Sequence, residues 1–167
     1  MAKHKTGDEI ERVFKVREIP KDIEKYPSKN ILQGYLAIDA TGSELRLRKM
    51  GNRYFETFKG SGRLQRKELE IELSSDQFNL LWPATEGRRI EKVRYKIDYA
   101  GKTIELNLFH GNLEGLALAE VEFPSTEQSE KFAPPDWLGE DVTEDTRYKN
   151  QSLAQRNAPN GEVMRPQ

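Results

Sequence analysis

Hydrophobic and polar side chains alternate along most of this chain. Residues 8–17 show the pattern clearly. Glu9, Glu11 and Lys15 fall on one side of an extended strand, and Ile10, Phe14 and Val16 on the other. Successive side chains of a strand point to opposite faces, so a period of two marks a half-buried strand. The same alternation returns in 30–39, 44–49, 53–59, 67–73, 88–97, 103–110 and 116–123, and each segment is predicted as a strand. Turns at Ala40-Thr41-Gly42-Ser43, Met50-Gly51-Asn52 and Tyr99-Ala100-Gly101 join neighbours into hairpins. Helical signals are few. Ser74 or Ser75 can cap a helix through Gln77 to Trp82, stopped by Pro83, and Ser125 can cap one over 126–132. A short polar helix is predicted within 21–29 and helical turns within 143–154. The polar stretch 155–167, with Pro159, Gly161 and Pro166, is expected to be a disordered tail. This leaves one domain, 8–154.

The polar positions are sorted by sign. Arg46 and Arg48 share a strand face, as do Thr57 and Lys59, and Lys92 and Arg94. Glu68, Glu70 and Glu72 line another, Glu105 and Asn107 another, and Glu120 and Glu122 another. Opposite them stand Leu45 and Leu47, Leu69, Ile71 and Leu73, Leu106 and Leu108, and Val121 and Phe123. Two architectures fit this pattern. In a sandwich the charges face water. In a closed barrel, which leaves no free edges, they line a wet lumen and the oily faces pack outside. Paired carboxylates such as Glu9/Glu11 and Glu120/Glu122 repel, and a divalent cation held by their oxygens relieves that repulsion. A solvated strand face gives the same spacing.

Composition narrows the function classes. Among 167 residues, 27 are basic and 28 acidic, for a net charge of −1. That balance argues against a general nucleic-acid or membrane-surface binder. With no cysteine, disulfides, zinc-thiolate sites and thiol nucleophiles are excluded. No apolar run is long enough to span a bilayer, and the N-terminus lacks the apolar stretch of a signal peptide, so a cytoplasmic location is expected. No glycine-rich phosphate loop and no Ser-His or Cys-His pair stands out.

Several motifs, in order, resemble the CYTH domain, the triphosphate tunnel metalloenzymes, in its short bacterial form. They are Glu9-Ile10-Glu11-Arg12-Val13-Phe14, Gln33-Gly34-Tyr35-Leu36, Glu44-Leu45-Arg46-Leu47-Arg48, Thr57-Phe58-Lys59 and Glu70-Ile71-Glu72-Leu73. They continue through Leu81-Trp82-Pro83, the segments 87–95, 103–111 and 118–123, Pro134-Pro135-Asp136-Trp137 and Arg147-Tyr148-Lys149-Asn150. The resemblance implies an α+β fold: a closed eight-stranded antiparallel β-barrel forming a tunnel, with helices packed outside. It implies hydrolysis of inorganic triphosphate, with nucleoside triphosphates as further substrates, using Mg2+ or Mn2+. Carried over by position, Glu9, Glu11, Glu120 and Glu122 form a metal end, with Glu70, Glu72 and Asn107 completing its lining. Arg46, Arg48, Lys59, Lys92 and Arg94 hold the phosphates. Glu9, Glu11, Lys15 and Lys92 form the expected catalytic set. Two positions depart from the family pattern: Val13 replaces a lysine, for which Lys15 is the nearest substitute, and Asn107 replaces an aspartate. The implied partners are small anions, with no nucleic acid and no membrane, on a monomer or homodimer. Cyclisation of ATP on the same fold, or polyphosphate binding with weakened catalysis, are the alternatives.

Overall fold

The computed structural model describes residues 4–155. Nine strands among these residues form one antiparallel sheet: β1 (His4–Val16), β2 (Ser28–Ile38), β3 (Glu44–Met50), β4 (Arg53–Lys59), β5 (Gln65–Leu73), β6 (Arg89–Tyr99), β7 (Lys102–Phe109), β8 (Ala117–Phe123) and β9 (Leu138–Asp141). Their order is β5-β4-β3-β2-β6-β7-β8-β1-β9, with β5 also paired to β1. That last pairing closes β1 to β8 into a barrel. The long β1 makes closure possible: its first half, His4 to Ile10, pairs with β5, and Ile10 to Lys15 pairs with β8. The expected closed eight-stranded barrel is therefore present, and the sandwich reading is excluded.

Three helices among the described residues decorate it: α1 (Ser75–Leu81), α2 (Thr126–Lys131) and α3 (Asn150–Gln155). Ser74 caps α1 through a reciprocal pair of bonds with Gln77. Ser125 caps α2 by accepting from the Gln128 amide. The helix expected in 21–29 is a single 3-10 turn at Ile23–Lys25, because β2 starts at Ser28 and leaves no room. The ninth strand, β9, has no counterpart in the sequence pattern. It is only four residues long and follows Pro134-Pro135, so no alternation could reveal it. Of the tail expected at 155–167, Gln155 closes α3 and the rest lies outside the described residues.

Two apolar clusters hold the barrel. One covers its outer face, where Phe14, Ile97, Ile104, Leu106, Ala119, Val121 and Phe123 pack with Leu138 from β9. Phe132 adds ring contacts to Phe14, Tyr99 and Phe123. Arg12 ties this cover down by donating to the Ser129 and Phe132 carbonyls and to Asp141. The second cluster lies at one end, where Val142, Tyr148, Leu153 and Ala154 pack on Tyr35, Ile90, Phe109 and Leu118. Residues 142–155 thus form a strap across that end. Among the described residues no helix is long and apolar enough to cross a membrane.

Gly34 shows how tightly β2 is backed. A Cβ there would lie 2.6 Å from Thr85 Cβ and 2.9 Å from Trp82 Cζ3. Gly34→Ala is expected to destabilise the protein by about 1–3 kcal/mol through overpacking, read as a lower midpoint in urea; an unchanged midpoint would show that the turn at Trp82–Thr85 yields freely.

Candidate active site

The charged strand faces point into the barrel. Paired residues share a face, so the register defines the wall: Tyr35 opposes Arg46, Gln33 opposes Arg48, Thr57 opposes both Arg46 and Glu70, and Lys59 opposes Glu68. Glu11 opposes Glu122, Val13 opposes Glu120, and Glu105 opposes Glu120. The result is a cavity of about 160 Å³ lined on one side by Arg46, Arg48, Lys92 and Arg94 and on another by Glu9, Glu11, Glu120 and Glu122. Most of these side chains are nearly out of water: Arg46 is 5% exposed, Lys92 1% and Glu120 8%. A charge in such a place needs a partner.

Some charges have one. Lys59 Nζ donates to Glu9 Oε1 at 2.6 Å. Arg94 donates to Glu120 at 2.7 Å, to Glu105 at 3.0 Å and to Asn107 Oδ1 at 2.9 Å. Burial alone would raise Glu9 and Glu120, but Lys59 holds Glu9 well below the usual carboxylate range, and Lys92 with Arg94 bring Glu120 down to about 2. Others are short of opposite charge. Burial, with Glu9 and Glu120 beside it, pushes Glu11 well above the carboxylate range. On the other wall, burial brings Arg48 down to about 10, helped by Arg46 and Arg94, and brings Lys92 down to about 7. Arg46 and Arg48 each have a buried Nε with no hydrogen-bond partner among the described residues.

The strap closes one end over Val13, Tyr35 and Lys59. Val142 N donates to Val13 O, and Val13 N donates to Thr143 Oγ1. Gln151 Nε2 bonds Gly42 O at 2.8 Å. Asn150, the first residue of α3, reaches into the cavity. The other end opens past Met50, Lys96 and Glu122.

No model of a known protein family matches the chain. Single relatives do. It is 49% identical over 148 residues to an inorganic triphosphatase of Nitrosomonas europaea, covering 87% of this chain and 96% of that one. It is 38% identical over 151 residues to an inorganic triphosphatase of Acetivibrio thermocellus, covering 88% and 93%. A solved structure of an inorganic triphosphatase superposes with a TM-score of 0.67 at 44% identity, over 90% of this chain and 97% of that one. The chain belongs to the CYTH family of triphosphate tunnel enzymes.

Within this CYTH barrel, Glu9, Glu11, Arg46, Arg48, Lys59, Glu70, Lys92, Arg94, Glu120 and Glu122 all line the one cavity, with Glu122 exposed at the open rim. Three expected residues are placed elsewhere. Lys15 lies beyond the closed end and pairs with Glu140 of β9 at 2.9 Å. Glu72 pairs with Arg53 at 2.7 Å outside the cavity. Asn107 is fully buried, and its oxygen is taken by Arg94. It therefore aims an arginine from the inward face of β7 without itself lining the cavity. Lys15→Ala is accordingly expected to change turnover by no more than about twofold, the scale of a surface ion pair; a loss as large as that of a cavity cation would put Lys15 back in the site.

Sequence reasoning assigns no site role to Glu44, Glu68, Gln33 or Asn150. Glu44 is 4% exposed and bonded by Arg66 at 3.0 Å, and Glu68 is equally buried. Both sit on strand faces whose parity is readable. Gln33 and Tyr35 are fully buried, with Gln33 Nε2 donating to the Tyr35 hydroxyl at 2.9 Å.

The acidic wall suits a hard divalent cation. Its donors are all carboxylate oxygens, the ligands of Mg2+ and Mn2+. The Glu11 carboxyl is raised first by burial and then by repulsion from Glu9 and Glu120, and such an ion would offset the repulsion. Among the described residues no three acidic or histidine side chains already ring one point. Glu9 and Glu120 are instead drawn onto Lys59 and Arg94.

Proposed function

We propose that this protein hydrolyses inorganic triphosphate with the help of Mg2+ or Mn2+ inside the barrel. One observation carries the reading: a single cavity holds two cations, Arg48 and Lys92, that its carboxylates leave short of an anion, and a carboxyl, Glu11, that its cations leave short of a cation. A polyanion bound together with a divalent metal supplies both. The kinship with inorganic triphosphatases supports the choice of substrate.

Arg46 and Arg48 would grip phosphate oxygens through their unused Nε donors and the guanidinium edge. Lys92, brought down to about 7 at the end of a dry wall, would share a proton with a terminal phosphate oxygen or with water beside it. Thr57 donates to Glu70 at 2.7 Å and steadies it near Arg48. Glu9, Glu11, Glu120 and Glu122 would hold the metal, whose chemistry here is to neutralise phosphate charge and acidify water. No aromatic side chain lines the open part of the cavity among the described residues. A base has nothing to stack on there, which favours inorganic triphosphate over ATP.

The test is product analysis. Phosphate and pyrophosphate are expected from tripolyphosphate with Mg2+ or Mn2+, with slower release from ATP and no cyclic AMP. Cyclic AMP as the main product of ATP would replace hydrolysis by cyclisation. Tight tripolyphosphate binding without turnover would leave a binding protein.

A further inference from the structure

Asn150 stands between two opposite charges. Lys92 Nζ donates to Asn150 Oδ1 at 3.1 Å, and Asn150 Nδ2 donates to Glu120 Oε1 at 3.3 Å. Both charged partners are buried. Among the described residues the Lys92 amine has no direct ion pair, although Glu120 is the carboxylate that acts on it most strongly. A neutral amide, accepting on one side and donating on the other, is what lies between them.

The strap does not depend on this amide for its seat. Val142 and Thr143 bond the backbone of Val13, Gln151 bonds Gly42, and Leu153 and Ala154 are buried in the end cluster. The Asn150 side chain instead spends both hydrogen-bonding ends inside the cavity.

We propose that Asn150 is a positioning residue for triphosphate hydrolysis: its amide spaces the Lys92 amine from the Glu120 carboxylate, keeping the amine available to substrate and the carboxylate available to the metal. This rests on the function proposed above. Lysine carries its charge on a flexible four-carbon stem. In a medium of low dielectric it closes on a nearby carboxylate once nothing intervenes. The closed pair would consume an amine proton and a carboxylate oxygen together. Because Arg94 holds the other oxygen of Glu120, both oxygens would then be held by cations, where the parent has one held only by the long, neutral bond from Asn150.

The experiment compares the parent with Asn150→Ala, Asn150→Ser, Asn150→Asp and Gln151→Ala. Asn150→Ala is expected to lower kcat by about 10- to 100-fold, the cost of losing an outer-shell partner, while KM for tripolyphosphate moves far less. Asn150→Ser keeps a donor and an acceptor and should recover part of the loss. Asn150→Asp should be the slowest, because a carboxylate there captures Lys92 and repels Glu120. Gln151→Ala loosens the same helix and leaves the amide in place, so its kcat should stay near the parent's. Ligand-free crystal structures of parent and Asn150→Ala supply a readout independent of turnover. In the variant Lys92 Nζ should move to about 3 Å from a Glu120 oxygen. An unmoved amine, an unchanged kcat, or an equal loss in Gln151→Ala would overturn the proposal. A parent that does not turn over tripolyphosphate would instead sink the function, while the two crystal structures still decide the spacing.

Discussion

Glu11→Gln is expected to abolish triphosphate turnover, by at least the roughly 100-fold that marks the upper range for disturbing a metal site through its outer partners, and at the same time to raise the melting temperature of the metal-free protein. Both effects come from one carboxylate. Glu11 is half-buried beside Glu9 and Glu120, and loss of water contact together with those two charges raises its pKa well above the ordinary range. For a carboxyl whose folded pKa exceeds its unfolded one, the folded state binds the extra proton. Its contribution to stability is present at low pH and is lost as pH rises through the raised value. At neutral pH the charged form is therefore a burden without metal, and glutamine removes it. Glu120 has the opposite sign: its folded pKa is about 2, so the stability it contributes is lost as pH falls from the ordinary carboxylate range toward that value. Thermal melts of parent and Glu11→Gln across pH, in chelator, check this. A variant that melts lower than the parent at neutral pH, or that keeps full activity, would contradict the assignment.

The cations should divide into two kinds when removed. Arg94→Ala breaks bonds to Glu105, Asn107 and Glu120 at once. Breaking the buried Glu120 pair costs about 3–5 kcal/mol, so this variant is expected to be strongly destabilised whatever it does to the rate. Arg48→Ala is different. Its Nε has no partner among the described residues, and its nearest carboxylate contact, Glu70, is 3.5 Å away. Little stability should be lost. A phosphate, however, would lose a charge-assisted contact worth about 1.5–3 kcal/mol, or roughly 10- to 150-fold in affinity. Urea unfolding beside KM for tripolyphosphate separates the two. If Arg48→Ala unfolds as easily as Arg94→Ala while KM stays put, Arg48 is a structural cation and the phosphate wall is misassigned.

The barrel is legible in the sequence because its strands alternate, and alternation records which side chains face the same way. Every cavity residue named from that parity lies on an inward strand face. What parity does not record is height along the tunnel or the identity of the neighbour across the strand. Lys15 shares the face of Glu9 and Glu11 but lies past the closed end, where Glu140 takes it. Glu72 shares the face of Glu70 but stands outside the cavity against Arg53. Asn107 faces correctly, yet the register sets it opposite Arg94, which occupies its oxygen. The strap is least legible. Its six-residue helix, like the four-residue β9 just before it, carries too few residues for a period, and Asn150 meets Lys92 only because the chain returns across the barrel end after 58 residues.

The central claim is that triphosphate lies along the Arg46 and Arg48 wall with the divalent cation on the acidic one. A crystal of the protein soaked with tripolyphosphate and Mn2+ tests it most directly. Anomalous density is expected among Glu9, Glu11, Glu120 and Glu122, with phosphate density inside the barrel within hydrogen-bonding reach of Arg46 and Arg48. Manganese bound elsewhere, or phosphate confined to the outer surface with the cavity unchanged, would contradict the account.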